Sequence, residues 1–371
     1  MKKLLPEVCT IQYGFPFDSA KFSDNDGMPL IRIRDVVRGY SETYTTEEYK
    51  SEYIVHENDL LIGMDGEFNI AKWGKTPALL NQRVCRLAPK DNIDKDYLFY
   101  FMPIALKRIE EKTPFVTVKH LSAKELNKIE IPVLPLEEQR KIAETLSKVD
   151  ELIAFRDQQL AKLDELVKTR FVEMFGESEY PCNSLISLII EGAGLSYGIV
   201  QPGDDGTGDM GVLRPVDFAD GKIKTDSIKY IDRSLGDGFK KTELNGNELL
   251  ITVRGTTGIT ALTDSRFKGM NVTRGIAVIR YNEKKIDPIY LNEYLKMEES
   301  QQYIKEHTRG ATLQQINLSD LRDLKVIVPP LLLQQEFSAF VERVDQQKQT
   351  VQQSLEKLEL MKKALMQEYF G

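Results

Sequence analysis

The chain has 371 residues, of which 41% are hydrophobic and 29% charged, a balance typical of a globular protein with two or three domains. The formal net charge of −7 argues against a polycation that coats nucleic acid, although it permits local basic surfaces. The scattered cysteines Cys9, Cys85 and Cys182 argue against a disulfide framework or a structural zinc site.

Targeting signals are not expected either. Pro6 and Glu7 follow only two leucines, which is not the pattern of a signal peptide. No apolar run approaches the roughly 20 residues that span a bilayer. We therefore expect a cytoplasmic protein without a membrane partner.

Residues 1–134 predict a mixed α/β segment. Short apolar runs at Pro29–Arg34, Asp59–Met64 and Arg83–Leu87 are separated by turn signals, as in a sheet of short strands. A short helix is expected near residues 95–112.

The sequence pattern over residues 135–176 predicts one long helix. Pro135 and the acids that follow suit its first turn, and Gly176 suits its end. Its apolar residues recur in steps of four and three, as in a coiled-coil seam that Arg156 and Arg170 interrupt. The seam residues are Ile142, Leu146, Val149, Ile153, Leu160, Leu163, Val167 and Met174.

The rest of the chain repeats this order. Residues 177–329 form a second strand-rich segment, with a strand at Asn247–Arg254 and one or two short helices near 287–305. Residues 330–371 form a second long helix, whose seam is interrupted by Lys348 and Lys362. Its apolar residues are Phe337, Val341, Val344, Val351, Leu355, Leu358, Leu365 and Tyr369.

Each long helix would extend about 60 Å at 1.5 Å per residue, too long for the core of a small domain. We expect the two helices to pair with each other, in antiparallel orientation because a globular segment lies between them. The alternative is that each helix packs on its own globular segment.

The two halves are a duplication. One constant separation places a series of residues in the first half on identical residues in the second. The matched residues of the first half are Leu126, Val133, Pro135, Leu136, Gln139, Val149, Asp150, Leu160, Leu163, Phe175 and Gly176. In the same order, their counterparts in the second half are Leu321, Val328, Pro330, Leu331, Gln334, Val344, Asp345, Leu355, Leu358, Phe370 and Gly371. Thr113 and Thr117 fall on Thr308 and Thr312 at the same separation.

Upstream, the separation changes in small steps, as loop insertions would cause. The pairs there include Leu60–Ile62 with Leu249–Ile251, Gly66 with Gly255, Arg32 with Arg214, and Arg83 with Arg274. The sequence therefore predicts two similar α/β domains related by a pseudo-two-fold repeat.

A search for catalytic motifs favours a protein without an active site. Gly206, Gly208 and Gly211 formally fit GxGxxG, but the run is acidic and no suitable strand precedes it, so we interpret it as a surface loop. The sequence contains neither a GxxxxGK[ST] loop nor the Asn/Asp-Pro-Pro-Tyr/Phe tetrad of adenine methyltransferases. The histidines, His56, His120 and His307, lack neighbours for a catalytic relay, which favours surface or capping roles.

Basic residues around the predicted strands are the candidates for DNA binding, since arginine forks suit guanine edges and phosphates. The alternative for each is a solvated or structurally paired charge. The duplicated pairs Arg32/Arg214 and Arg83/Arg274 favour a role in holding the fold, whereas arginines found in one half would read different sequences. The candidate DNA-binding residues are Arg34, Arg38, Lys72, Lys75, Arg83, Lys119, Arg254, Arg266, Lys268, Arg274 and Arg309.

The order of these features resembles the specificity subunit of bacterial type I restriction–modification systems. The resemblance covers essentially the whole chain. It is carried by Pro135-Leu-x-x-Gln139 and its echo at 330–334, by Asn58–Ile62, by Asn81–Val84, and by the Phe-Gly helix ends. The second half departs from the pattern, with Val272-Thr273 opposite Asn81-Gln82.

The resemblance implies two target-recognition domains, 1–134 and 177–329, each of which reads half of a split DNA site. It implies that the helices 135–176 and 330–371 act as spacer and as dock for two methyltransferase (modification) subunits, joined by restriction subunits. S-adenosylmethionine and ATP would bind the partners. The coiled-coil and docking residues would be Gln139, Leu146, Val149, Ile153, Leu160, Leu163, Gln334, Val341, Val344, Leu355 and Leu358.

Two other functions remain open from the residues alone. One is a coiled-coil adaptor that binds proteins and does not contact DNA. The other is an enzyme with an unfamiliar site in a globular segment.

Overall fold

The computed structural model describes residues 1–112, 119–176, 179–203, 206, 208–219, 221–310 and 313–371. Contacts divide the chain into two compact units. Unit 1 comprises Met1–Gln158 and Gln352–Gly371, and unit 2 comprises Gln159–Val351. Each unit thus contains one globular part and a portion of both long helices. The matched threonines Thr113, Thr117 and Thr312 lie outside the described residues.

Unit 1 is built from short strands around a central helix. Its helices are α1 (Leu5–Val8), α2 (Ile33–Arg38), α3 (Lys95–Lys112), α4 (Ala123–Leu126) and the first part of α5 (Leu136–Phe175). Its strands are β1 (Lys2–Leu4), β2 (Cys9–Tyr13), β3 (Phe22–Ser23), β4 (Met28–Ile31), β5 (Tyr44–Thr45), β6 (Ile54–Val55), β7 (Leu60–Gly63), β8 (Asn69–Lys72), β9 (Ala78–Leu80), β10 (Val84–Pro89) and β11 (Glu130–Pro132).

The strands of unit 1 form separate small sheets. One has the order β2-β10-β7-β8, another has the order β3-β5-β4-β9-β6, and β1 pairs with β11. β4 and β9 run parallel, whereas β2, β7 and β8 pair antiparallel with their neighbours. The main core lies between the β2-β10-β7-β8 sheet, α3 and the first turns of α5, where Leu60, Tyr97 and Leu146 are buried.

Unit 2 repeats this plan. Its helices are α6 (Pro288–Lys296), α7 (Glu298–His307), α8 (Leu318–Asp323) and the first part of α9 (Leu331–Phe370). Its strands are β12 (Cys182–Ser184), β13 (Ser196–Tyr197), β14 (Met210–Leu213), β15 (Phe218–Ala219), β16 (Lys222–Ile223), β17 (Lys229–Ile231), β18 (Leu249–Arg254), β19 (Thr256–Leu262), β20 (Asn271–Val272), β21 (Ile276–Ile279), β22 (Thr308–Arg309), β23 (Gln315–Ile316) and β24 (Lys325–Ile327).

The main strand pairings of unit 2 match those of unit 1. The order β13-β21-β18-β19 corresponds to β2-β10-β7-β8, the parallel pair β14/β20 to β4/β9, and β12/β24 to β1/β11. The predicted mixed α/β class and internal repeat are therefore confirmed. No helix in the described ranges is both long and apolar enough to cross a bilayer.

One local prediction was wrong. Ile33 and Arg34 belong to α2 and not to the predicted strand at Pro29–Arg34, because the Asp35 carboxylate accepts the Arg32 N–H (2.8 Å) and starts a helix that the left-handed Gly39 ends. The one or two short helices expected near 287–305 are α6 and α7, which are separated at Met297, where the backbone is extended.

The long helices pair antiparallel within each unit, as predicted. Cross-helix contacts move forward along α5 as they move backward along α9. In unit 1 they join Asp150 to Lys362 (2.6 Å) and Arg156 to Ser354 (3.1 Å), and in unit 2 they join Asp164 to Lys348 and Arg170 to the Phe340 ring. The basic residues that interrupt the apolar seam thus make polar or ring contacts to the other helix, which fixes its register.

The predicted seam residues are turned inward. Gln139, Leu146, Val149, Leu163, Gln334, Val341, Val344 and Leu355 are buried, and Ile153, Leu160 and Leu358 are half-buried. The fully buried members, such as Leu146 and Gln139, hold the helices and cannot present their side chains to a partner. A partner that binds these helices would have to contact other, exposed positions.

The buried glutamines lock the start of each long helix. Gln139 accepts the Asp94 N–H (2.8 Å) and donates to the Leu134 carbonyl (2.7 Å). Gln334 makes the equivalent bonds with Asp287 (2.8 Å) and Pro329 (2.7 Å). This pairing gives the repeated Pro-Leu-x-x-Gln motif a structural role, since an unpaired buried amide would be costly.

An aromatic residue near the end of each long helix fills an equivalent pocket. Phe175 of α5 packs on Tyr290 (ring centroids 5.1 Å apart) and Phe337 (5.6 Å) in unit 2. Phe370 of α9 packs on Tyr97 (5.2 Å) in unit 1. Helix α5 therefore ends in the core of unit 2, and helix α9 ends in the core of unit 1.

Phe175→Ala and Phe370→Ala should each lower the free energy of unfolding by about 3–5 kcal/mol, because each opens a cavity in a packed aromatic core. Chemical denaturation followed by circular dichroism measures the loss. Phe155→Ala is the matched control: Phe155 is 62% exposed on α5, and its loss should change the free energy of unfolding by less than about 0.5 kcal/mol. Equal effects of all three changes would contradict the pocket assignment.

The cysteines should differ sharply in reactivity. Burial raises the pKa of the Cys9 thiol and of the Cys85 thiol to about 12, so neither forms the nucleophilic thiolate at pH 8, whereas Cys182 is exposed. A disulfide reagent should label one thiol in the native protein and three after denaturation. Native Cys182→Ser should stay unlabelled, and its rapid labelling would show that the buried pair is accessible.

Candidate nucleic-acid interface

The two units share a backbone framework where β7 and β18 end. The Gly66 N–H donates to the Lys119 carbonyl, and the Gly255 N–H donates to the Gln314 carbonyl, both at 2.9 Å. Both glycines have positive φ, 78° and 86°, which favours glycine at this turn. These bonds make Asp65 equivalent to Arg254, and His120 equivalent to Gln315.

The next strand connection corrects one sequence pairing. The Met64 N–H donates to the Arg83 carbonyl (2.9 Å), and the Val253 N–H donates to the Gly275 carbonyl (2.8 Å). Arg83 therefore corresponds to Gly275 and not to Arg274. A Cβ at Gly275 would lie 2.6 Å from Cγ of Pro215, so this position leaves no room for a side chain.

The same framework bonds shift the Asn81-Gln82 segment by one residue, onto Thr273-Arg274 instead of Val272-Thr273. The Val84 N–H donates to Asn81 and the Ile276 N–H to Thr273. The two-residue connection is Gln82-Arg83 in unit 1 and Arg274-Gly275 in unit 2. Each unit thus has one arginine there, in the second position in unit 1 and in the first position in unit 2.

The first edge, which we define as Asp65, Arg83, Lys119 and His120, contains an ionic cluster of Asp65, Arg83 and His120. His120 Nδ1 lies 2.5 Å from Asp65 Oδ1, and Arg83 Nε lies 3.6 Å from Asp65 Oδ2. Arg83 Nη1 lies 3.1 Å from His120 Nδ1. The Lys119 ammonium donates to the Glu110 carbonyl at 3.0 Å and is held away from the cluster.

The second edge, which we define as Arg254, Arg274, Arg309 and Gln315, carries more positive charge. Gln315 is paired with Arg254 of β18 and with Arg309 of β22, and the Arg254 N–H donates to Gly275, which follows Arg274. Among the described residues, Arg309 has a carboxylate neighbour, Asp320 at 3.8 Å, whereas Arg254 and Arg274 have none within 4 Å.

The duplicated pair Arg32/Arg214 divides between the two expected roles. Arg214 donates to Asp217 at 2.9 Å and also to the Ser227 carbonyl, contacts that suit a structural role. Arg32 is exposed, and its guanidinium has no hydrogen bond or ion pair among the described residues. It lines an open cleft of unit 1 with Phe22, Ser23, Asp24, Arg34, Glu42 and Thr43.

Several of the other candidate cations are tied to carboxylates. Lys72 pairs with Asp96 at 2.9 Å and lies over the Phe99 ring. Hydrogen bonds from Arg266 lower the pKa of Asp264, whose carboxylate lies 2.6 Å away. Looser pairs join Arg34 to Asp35 (3.7 Å) and Arg38 to Glu42 (3.8 Å). Within the described ranges, no side-chain partner is found for Lys75 or Lys268.

The remaining motifs have structural explanations. Gly206 and Gly208 are exposed, and Gly211 lies inside β14 and not before a helix, which is unlike a dinucleotide-binding loop. His307 stacks on Tyr303 with ring centroids 4.0 Å apart. In the described part of the chain, no group of His, Cys, Asp or Glu side chains is placed to hold a metal ion.

Sequence reasoning missed Asp65, His120 and Gln315 as members of the two edges. Asp65 and His120 are far apart in the chain and meet only because β7 ends beside the segment that contains residue 120. The available signal was the duplicated Gly66/Gly255 turn, which marks the residue before it as an equivalent position in both halves.

Comparison with known proteins identifies the fold. A family model described as "Type I restriction modification DNA specificity domain" matches residues 1–165 and 207–360. The chain is 31% identical over 375 residues to the type I restriction enzyme EcoBI specificity subunit of Escherichia coli. The alignment covers 92% of this chain and 78% of that protein. It is 26% identical over 380 residues to the putative type I restriction enzyme MjaX specificity subunit of Methanocaldococcus jannaschii, covering 92% and 86%.

The fold is also similar to that of solved structures. The fold is similar to that of the S subunit of a type I restriction-modification system from M. genitalium, with a TM-score of 0.59, 16% identity, and coverage of 100% of this chain and 96% of that one. A chain from a study of complex assembly and conformational transition of the type I R-M system gives a TM-score of 0.59 at 18% identity, covering 100% and 97%. The chain therefore belongs to the DNA specificity family of type I restriction–modification systems.

Proposed function

We propose that this chain is the DNA-recognition subunit of a type I restriction–modification complex, in which residues 1–134 and 177–329 each read one half of a bipartite duplex site. One observation carries the proposal: the same pattern of backbone hydrogen bonds in both units places different residues at equivalent positions. Asp65 corresponds to Arg254, Arg83 to Gly275, and His120 to Gln315. A constant framework with variable edges suits two domains that approach similar ligands and read different sequences.

The charges at the edges support contact with DNA. Arginines recur at both edges, and guanidinium groups suit phosphates and guanine edges. The cations without described partners, Lys75, Arg254, Lys268 and Arg274, remain candidates for phosphate contacts that position the duplex. Tied cations such as Lys72 and Arg266 are weaker candidates, because their carboxylate partners must first be displaced.

The helix pair would serve as a spacer between half-sites and as a dock for two modification subunits, with restriction subunits joining that core. Its buried seam makes it stiff. Its exposed face carries apolar side chains that a lone helix pair does not need, including Leu152, Phe155, Leu166, Leu360 and Met361. In unit 2, an open groove between the helices is lined by Leu166, Ala339 and Phe340 and rimmed by Arg170 and Arg343.

Chemistry would belong to the partners. S-adenosylmethionine and ATP would bind the modification and restriction subunits, since this sequence has neither the adenine-methyltransferase tetrad nor a P-loop lysine motif. The chain itself would be non-catalytic and would act in the cytoplasm, where the complex meets chromosomal DNA.

Methylation-aware sequencing of cells that express this chain with its modification subunit should reveal one bipartite motif with an unread gap. Inserting one heptad into both helices, after Gln158 and after Val351, preserves the seam and adds about 10 Å, or about three base pairs at about 3.4 Å each. The variant should methylate the same outer bases across a longer gap.

Three results would contradict these assignments. An unchanged gap in an active heptad variant would show that the helices do not set the spacing. Methylation by this chain without its partner would contradict the non-catalytic role. Binding of the modification subunit without any sequence motif would favour the protein adaptor instead.

Phe155→Asp should weaken association with the modification subunit by at least about 30-fold, because it places a charge in an apolar contact. Analytical ultracentrifugation of the mixed subunits measures the loss. Ala161→Asp, an exposed position on another face of α5, adds the same carboxylate and should leave association unchanged. Equal affinity of the Phe155→Asp variant and the wild type would place the dock elsewhere.

A further inference from the structure

We infer that Arg83 reads a guanine in the half-site of unit 1, and that Asp65 and His120 are positioning residues that hold its guanidinium. The inference rests on the proposed function, since it requires unit 1 to contact DNA. The observation behind it is an exposed arginine beside a carboxylate that a histidine fixes in place, at an edge where the other unit has different residues.

The backbone of Arg83 is unusual. Its φ of 71° lies in the left-handed region, which long side chains rarely adopt. Asn58 is the other non-glycine residue with positive φ in the described ranges, but asparagine tolerates that conformation well. Strained backbone of this kind concentrates at functional sites, where the direction of one side chain matters.

The guanidinium of Arg83 is held but not covered. Asp65 Oδ2 lies 3.6 Å from its Nε. Its Nη1 lies 3.1 Å from His120 Nδ1, which donates to Asp65, so the imidazole contacts the arginine without accepting a hydrogen bond from it. The Arg83 side chain is 53% exposed, whereas that of Asp65 is 22% exposed, so the arginine projects beyond the carboxylate. Its Nη2 has no hydrogen bond or ion pair among the described residues and is available as a donor.

His120 completes the brace from the opposite end of Asp65. Its Nδ1 lies 2.5 Å from Asp65 Oδ1, so one carboxylate oxygen faces the imidazole and the other faces the arginine. A carboxylate with both oxygens engaged has a fixed orientation. A fixed guanidinium loses less conformational freedom when it binds, which favours a directional contact.

Charge distinguishes base reading from a phosphate contact here. Asp65 offsets the positive charge of Arg83, which weakens attraction to a phosphate but leaves the planar N–H fork intact. That fork matches O6 and N7 of guanine in the major groove. The second edge has Arg254 in the place of Asp65, together with Arg274, so its net positive charge suits phosphate contacts better.

The two edges therefore combine the same framework with different chemistry. Unit 1 would identify a base through one braced arginine, and its contact at this edge would depend little on salt. Unit 2 would gain affinity through unpaired arginines, and its contact would weaken as salt rises.

The test uses the complex with modification subunits and a set of duplexes in which each base pair of the unit 1 half-site is changed in turn. Arg83→Lys keeps the charge and removes the fork. It should lose about 10- to 100-fold in affinity for the cognate duplex and lose discrimination at one G·C position. The salt dependence of binding should not change. Asp65→Asn should relax the same position by a smaller factor, about 3- to 10-fold.

Arg140→Lys is the matched control, since Arg140 is 65% exposed and lies 3.9 Å from the Asp94 carboxylate, away from the first edge. It should bind every duplex like the wild type. The half-site of unit 2 is an internal control for folding, because its motif should be retained in every variant.

The inference is overturned if Arg83→Lys keeps full discrimination while Arg83→Ala weakens all duplexes equally and lowers the salt slope by about 1, the behaviour of a phosphate contact. It is also overturned for Asp65 if Asp65→Asn keeps discrimination at that position. These outcomes differ from failure of the proposed function, in which the wild-type complex would show no preference among duplexes.

Discussion

Each long helix has an apolar stripe that extends for 40 residues, and the whole molecule is arranged to bury it. No single small domain can cover a stripe of that length. Part of each stripe enters a globular core, where Leu146 and Phe337 are buried, and part faces the other helix. The basic residues that interrupt the stripe, such as Lys348 and Lys362, reach acids on the other helix and so fix one register. The strands and loops of each unit then have a rigid base.

The duplicated framework of backbone hydrogen bonds holds the fold of each unit and does not depend on the residues proposed for recognition. Backbone bonds at Gly66 and Gly255 are the same in both units, as are the glutamine locks at Gln139 and Gln334. Side chains that project from the framework are not conserved between units, because the backbone bonds do not depend on them. The arginine of the strand connection can therefore occupy either of two neighbouring positions without a change of fold.

Much of the fold could be predicted from sequence because it depends on repeated local patterns. The seam spacing predicted both helices, and the matched residues predicted the duplication. The candidate DNA-binding site was harder to predict. Asp65 and His120 meet through strand pairing that no local pattern encodes, and the one-residue shift between Arg83 and Arg274 appears only in the hydrogen bonds. The short helix α2 was missed because Asp35, and not an apolar period, starts it.

The continuity of the helices affects how the protein unfolds. The division between units falls at Gln158/Gln159 in α5 and at Val351/Gln352 in α9, in the middle of both helices. If one unit melted alone, the other would keep helix ends with unpaired backbone groups. None of these residues is a good N-cap, and no glycine follows to close a C-terminus. The half-melted state is therefore disfavoured, and the two units should behave as a single cooperative unit of denaturation.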